Sequence, residues 1–480
     1  MEVERLKIAL KPSHSRVLIR PFVPSGNRAE RIISRVMCLS EEEVSAHLDR
    51  VLAEFADRHH DICDVLLRHF QRVRHARIMD HKLSEKRKLL IGSYFTQEYA
   101  LESAALFNPS IVLHPDQSGL PAGSVRFILS LRATGEGHIS SIVFREGVLH
   151  QDAQITLVPP TPYVVEPERI PYLTYDKPLF ERKLQELELD DELARRILSA
   201  LGPTFTLTQL NESITNAARQ SQRFPGVKYT IEGIRLLALS NYEKEIDADR
   251  QLSELAIFPS APSQSNGIED ARFVRFAEDD GTFTYFATYS AFDGSTVVPQ
   301  LLRTSDFRHF VFNTLNGPAV RNKGMALFPR KINGCYAMLS RQDNENIFLM
   351  YSDNVHFWYS PEIIMRPTHM WEFVQLGNCG SPIELDEGWL VLSHGVGPMR
   401  KYCMGAFLLD KKDPSKVVGR LRKPLLEPNE NEREGYVPNV VYTCGAMTYN
   451  GFLILPYAMS DYATGFARIR LTEILNSMDD

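Results

Sequence analysis

Apolar residues change their spacing three times along this chain, and each change predicts a change of structure. Over residues 41–90 they recur at helical intervals: Val44, Leu48, Val51, Leu52 and Phe55, then Ile62, Val65, Leu66, Phe70 and Val73. Ser40 ahead of Glu41, Glu42 and Glu43 reads as an N-cap with an acidic first turn, and no proline interrupts the run. From about Gly92 short β-type runs divided by turn residues take over. Residues 176–250 return to helical spacing, as in LFERKLQELELDDELARRILSALG and TLTQLNESITNAARQSQ. Beyond Gly267 strand and turn patterns continue to the closing segment LTEILNSM.

The β part repeats itself. Five glycine turns each lead into an apolar strand: Gly123, Gly281, Gly334, Gly388 and Gly451. The last three intervals are 53, 54 and 63 residues; the first is 158, and the helical segment fills the excess. TSDFRHF at 304–310 is echoed by YSDNVHFW at 351–358. A period of this size, with several strands per unit, suggests propeller blades; a β-sandwich is the plainer alternative. The expected fold is mainly β, with an N-terminal helical extension over residues 1–90. A propeller over 91–480 follows, carrying a helical insertion at about 160–255. The apolar strands end in Arg132, Tyr289, Arg341, His394 and Asp461, which a propeller would gather around one axis. Taken singly, each is an ordinary solvated or paired strand-end residue.

With 480 residues, 44% hydrophobic and 24% charged, the chain is long enough for a large core and ordinary in composition. A net charge of -6 argues against a nucleic-acid partner, which wants a basic face. The first twenty residues carry no apolar run with a cleavage site, and no stretch is long enough to span a membrane, so a cytoplasmic protein is expected. The six cysteines form no CxxC pair; they read as reduced core residues rather than metal ligands.

The chemistry lies in longer motifs: FNPSIV at 107–112, GIEDAR at 267–272, NKGMALFPRKING at 322–334, GNCGSPIELDEGWLVLSHGVG at 377–397, EGYVPNVVYTCGA at 434–446 and SDYATGFA at 460–467. In content and order they resemble glycoside hydrolase family 130, inverting β-mannoside phosphorylases and some β-mannosidases on a five-bladed β-propeller. The resemblance covers roughly residues 100–475. It implies that Asp270 is the catalytic acid, protonating the glycosidic oxygen through a hydroxyl of the bound mannose. Such a role asks for a pocket that raises the carboxyl pKa toward neutrality. Glu269 could assist or be an ion-pair partner, although adjacent strand residues face opposite ways.

The resemblance also implies a phosphate site at Lys323, Arg341, His394 and Tyr402, whose cations and donors suit a dianion. Gln375 stands where many of the family's phosphorylases carry a lysine, so one charge is missing. Asn108, Ser110, Arg132 and Asp461 match segments lining the mannose subsite. Tyr289, Phe292, Trp358 or Trp371 could stack on sugar rings, though core packing is the plainer role for each. GEGHIS at 135–140 is not a phosphate loop by spacing and reads as a turn near the pocket.

The implied activity is phosphorolysis of a β-linked manno-oligosaccharide to α-mannose 1-phosphate and a shortened acceptor. Phosphate is the co-substrate, and no cofactor or metal is expected. An inverting β-mannosidase using water is the alternative, favoured by Gln375, and a non-catalytic sugar-binding propeller is a third. The partners implied are the saccharide and phosphate, with no nucleic acid and no membrane, and the N-terminal helices are a candidate subunit interface.

Overall fold

In the computed structural model, residues 1–75, 83–170, 173–220 and 226–479 are described. The chain is mainly β, with 39% strand against 26% helix. Five antiparallel units carry most of the strands. Unit one holds Ala105–Leu113, Val125–Thr134, Ser140–Leu149 and Ile155–Leu157. Unit two holds Gly267–Ala277, Phe283–Phe292, Val297–Thr304 and His309–Thr314. Unit three holds Ala326–Leu327, Tyr336–Ser340, Ile347–Ser352 and Pro361–Met365. Unit four holds Gln375–Asn378, Trp389–Val396, Tyr402–Leu409 and Val417–Arg420, with Ile383–Glu384 prolonging the first strand. Unit five holds Val441–Tyr442 and Met447–Tyr449, then Phe452–Met459 and Ala463–Arg470. Its outermost strand comes from the other end of the chain: Glu4–Leu10 pairs with Ala463–Arg470.

The five repeated glycines stand at one place in the five units, just ahead of the second strand, and all have positive φ. A side chain is strained in that conformation, which is why the repeat is visible as glycine.

The first strand of units one, two, four and five is broken. The register slips between Phe107 and Ser110 and between Glu269 and Arg272. In units four and five the strand stops at Asn378 and Tyr442 before resuming. Contacts near these breaks link each unit to the next. Asn108 meets Asp270, and the Thr288 hydroxyl donates to the Met325 carbonyl ahead of unit three. Arg341 of unit three lies against Gly377 of unit four, and Gly380 backs onto Cys444 of unit five. The Cys444 N–H then donates to the Pro109 carbonyl of unit one at 2.7 Å.

Four helices, Arg28–Met37, Glu41–Phe55, Ile62–His75 and Glu85–Tyr94, share a core around Ala29, Val44, Phe70 and Phe95. Ser40 caps the second through a capping box: its hydroxyl accepts from Glu43 N–H, and the Glu43 carboxylate accepts from Ser40 N–H. Residues 76–82 of the expected 41–90 run, and 221–222 of the second helical pattern, lie outside the described residues. The strand Ser13–Pro21 pairs with Thr96–Glu102, and Leu18, Tyr99 and Leu101 join the core of unit one. The helices Lys177–Glu186, Glu192–Ser199, Leu207–Gln220 and Val227–Ser240 form a separate apolar cluster within the insertion.

The cysteines depart from expectation. All six are free, but only Cys379, Cys403 and Cys444 are buried; Cys38 and Cys63 are exposed on the N-terminal helical region.

Candidate active site

The breaks in the first strands of units one and two set the centre of the site. Asn108 has φ +48° and Asp270 φ +55°, left-handed conformations that side chains adopt at a cost of roughly 1–2 kcal/mol. Turned in this way, the Asn108 amide donates to Asp270 Oδ1 at 2.6 Å. Arg132, from the second strand of unit one, reaches Asp270 Oδ1 at 3.2 Å and Glu269 Oε1 at 2.7 Å, with its guanidinium over the Phe107 ring. Lys323 reaches the other Glu269 oxygen at 2.5 Å. Alternation along a regular strand would send Glu269 and Asp270 to opposite faces; the slipped register lets one arginine hold both. Glu269 is thus the ion-pair partner of two cations.

These cations reverse the expected titration of Asp270. Burial pushes its carboxyl up, but Arg132, Lys323, the Asn108 amide and Arg272 outweigh that and hold it at about 2. Asp461 shows the opposite balance. It follows Ser460 in a left-handed turn, and burial, then the charge of Asp270, push it up to about 6 against Arg132 and Arg400. Two neighbouring carboxyl groups are thereby driven apart in proton affinity.

A second cluster lies between units three, four and five. Arg341 Nη1 donates to His394 Nε2 at 3.2 Å. His394 is fully buried, stacked parallel to Tyr402 with ring centres 5.9 Å apart and edge-on to Tyr442 at 5.1 Å. Burial, then Arg341 and Arg272, push its pKa far below 6.5, so the ring is neutral. As Nε2 accepts, the proton is assigned to Nδ1, which faces Cys379 Sγ at 3.9 Å. Arg341 fits because two neighbours lack a Cβ: one on Gly324 would lie 2.6 Å from Arg341 Nε, and one on Gly377 2.5 Å from His394 Cε1. Arg341 Nε is buried without a hydrogen-bond partner.

Arg272, which pattern reading passed over inside GIEDAR, belongs to the same place. It is buried and donates to the Tyr442 hydroxyl at 2.6 Å, while its Nη1 has no partner. Its signal was a charged residue in a strand otherwise bound for the core. Asn378, two residues before GSP, is buried with both amide atoms unpartnered.

Other anticipated residues sit elsewhere. Ser110 is fully buried, its hydroxyl accepting from Phe273 N–H at 3.0 Å, and works as a strut between units one and two. Gln375 pairs in register with Val396, half-buried, without a side-chain hydrogen bond. Trp358 is in the core, and Trp371 lies against Gly395 and Gly405. Tyr289 is buried and bonded to Gln300, and with Asp270, Arg272 and Gly324 it lines a small cavity. A larger cavity of about 490 Å³ lies away from these groups, between the N-terminal helices and the strands Ser13–Pro21 and Thr96–Glu102.

Set beside known proteins, residues 236–480 match a family described as β-1,4-mannooligosaccharide phosphorylase. A 1,2-β-oligomannan phosphorylase of Thermoanaerobacter sp. (strain X514) is 34% identical over 212 residues, covering 43% of this chain and 70% of the relative. A β-1,2-mannobiose phosphorylase of Listeria innocua is 28% identical over 371 residues, covering 73% and 95%. The solved structure of a Listeria innocua β-1,2-mannobiose phosphorylase with β-1,2-mannobiose is similar at TM-score 0.47 and 23% identity, over 79% of this chain and 92% of that one.

Proposed function

We propose, from the premise that this chain belongs to glycoside hydrolase family 130, that it cleaves β-linked manno-oligosaccharides by inverting phosphorolysis. The glycosidic C1–O bond breaks, a phosphate oxygen bonds to C1 from the opposite face, and the acceptor oxygen takes a proton. The products are α-mannose 1-phosphate and a shortened saccharide. The observation that carries this reading is the pair of buried, unpartnered guanidinium nitrogens, Arg341 Nε and Arg272 Nη1, beside a neutral histidine. Buried donors of positive charge call for an anion. Lys323, Arg341 and Tyr402 hold the phosphate in this reading, His394 positions Arg341 through the bond to its Nε2, and Asn108, Arg132 and Asp461 hold the mannose.

Asp270 enters the reaction as a carboxylate. Phosphate brought against Lys323 and Arg341 offsets the cations that hold Asp270 down and raises its proton affinity. Asp270 then takes up a proton from water or from the dihydrogen form of the bound phosphate and passes it toward the leaving oxygen through a substrate hydroxyl. The five units, linked one to the next with unit five closing on unit one, support a five-bladed propeller with this site where the first strands break. Glu4–Leu10 supplies the outer strand of its fifth unit, and residues 11–90 are an extension outside it.

Hydrolysis is the second reading, favoured by the uncharged Gln375 and by Asp461, whose pKa of about 6 suits a base that activates water. Incubation of β-manno-oligosaccharides with and without inorganic phosphate separates the two. Phosphate-dependent mannose 1-phosphate supports phosphorolysis; free mannose formed regardless of phosphate overturns it.

A further inference from the structure

At the rim of the site an exposed aromatic pair is held rigidly in place. Tyr436 is 62% exposed and stacks on the exposed ring of His138, with ring centres 5.7 Å apart and planes 29° apart. The backbone on both sides is braced. Gly435 packs so closely on the turn at Ser460 that a Cβ there would lie 2.5 Å from the Ser460 carbonyl. Val437 N–H donates to that carbonyl at 3.0 Å, and the Ser460 hydroxyl donates to Glu432 O at 2.6 Å. That turn carries Asp461. His138 sits on the other side, in the turn Glu136–His138, held by the Tyr99 hydroxyl on Glu136 O at 2.7 Å. The strand leading into the turn carries Arg132, whose Nε donates to Ser140 Oγ just beyond it. Tyr436 and His138 therefore stand on the two loops that flank Arg132 and Asp461. Tyr462, 42% exposed, adds a third ring next to Asp461.

An aromatic ring that stays in water on a braced backbone contributes little to the core. It is a pre-organised apolar face beside a polar pocket, which is what the C–H face of a pyranose ring needs. We infer that Tyr436, backed by His138, is a stacking platform for the leaving-group part of the saccharide, outside the mannose that is transferred. This rests on the reading of the site as a mannoside phosphorylase. The occupant is a sugar ring because the platform stands on the hairpin that carries Arg132 and on the segment bonded to the turn of Asp461, a guanidinium and a carboxylate that suit sugar hydroxyls.

The test uses the full-length protein and its Tyr436→Ala and Tyr436→Phe variants in the synthetic direction, from mannose 1-phosphate and a manno-oligosaccharide acceptor. The platform predicts an acceptor KM raised about 10-fold by Tyr436→Ala and restored by Tyr436→Phe, with the KM for mannose 1-phosphate unchanged. An unchanged acceptor KM in Tyr436→Ala overturns it. If the wild type makes no product, the phosphorylase reading fails, and calorimetric titration with mannotriose tests the platform on its own. Binding weakened about 10-fold in Tyr436→Ala upholds it, and equal or absent binding overturns it.

Discussion

Asn108 and Asp270 occupy the same place in two consecutive units: each sits in the break of a first strand, each has positive φ, and the amide of one donates to the carboxylate of the other at 2.6 Å. The bond helps keep Asp270 ionised in the resting site. Asp270→Asn, nearly isosteric, is expected to lose about 10²–10⁴-fold in turnover with its circular dichroism unchanged. Turnover within a few-fold of wild type would remove Asp270 from the chemistry.

The depressed pKa of Asp270 also bears on stability. A carboxyl held below its ordinary 3.8 contributes stability above about pH 4 and loses it as pH falls toward 2. Asp461 has the reverse sign: raised to about 6, it costs stability as pH rises from about 4 to 6, and the full cost remains at pH 7. Asp461→Asn should therefore stabilise the protein by about 1–2 kcal/mol at pH 7, with no gain at pH 4, while mannoside KM rises. Urea melts at the two pH values check the sign.

His394 gives a third pH signature. Its pKa is pushed far below 6.5, so its neutral burial adds stability above about pH 6.5 that is lost as pH falls. His394→Gln should flatten the fall in Tm between pH 7 and 5 and raise the KM for phosphate. An unaltered slope would mean that the other histidines whose pKa values are lowered by desolvation, such as His356 and His69, carry the whole effect.

The passage of Arg341 between two glycines makes a steric prediction. Gly377→Ala places a Cβ against His394 and Arg341, and overpacking of this kind costs roughly 1–3 kcal/mol. The expected result is a lower Tm and a phosphate KM raised well beyond the mannoside KM. Arg341→Ala should give the same kinetic split without the steric cost.

Pattern reading found what is local. The five glycines announce themselves because each turn needs positive φ within a few residues of an apolar strand. Asp270, Lys323 and His394 stand in contiguous motifs, and Arg341 directly follows an apolar strand. What it missed is set by partners far along the chain. Asp270 was expected to have a raised pKa, yet Arg132, 138 residues away, reverses the sign. Ser110 looked like a sugar ligand, but the broken strand turns it onto the backbone of unit two. Tyr436 and His138 come together across 298 residues, beyond any windowed pattern (436 − 138). The strand Glu4–Leu10 has its partner at the opposite end of the chain and gave no local signal.

That strand also sets a clock. Glu4 and Arg468, ion-paired across the last sheet, are separated by 464 residues. At ribosomal rates of about 5–20 residues per second, Glu4–Leu10 leaves the ribosome roughly half a minute to a minute and a half before its partner exists. Unit five cannot be completed until residues 463–470 have been made, and a nascent chain stalled anywhere before residue 463 carries Glu4–Leu10 as an unpaired strand edge. An early strand thus waits for a late one, and the fifth unit is completed only when Ala463–Arg470 emerges to meet Glu4–Leu10.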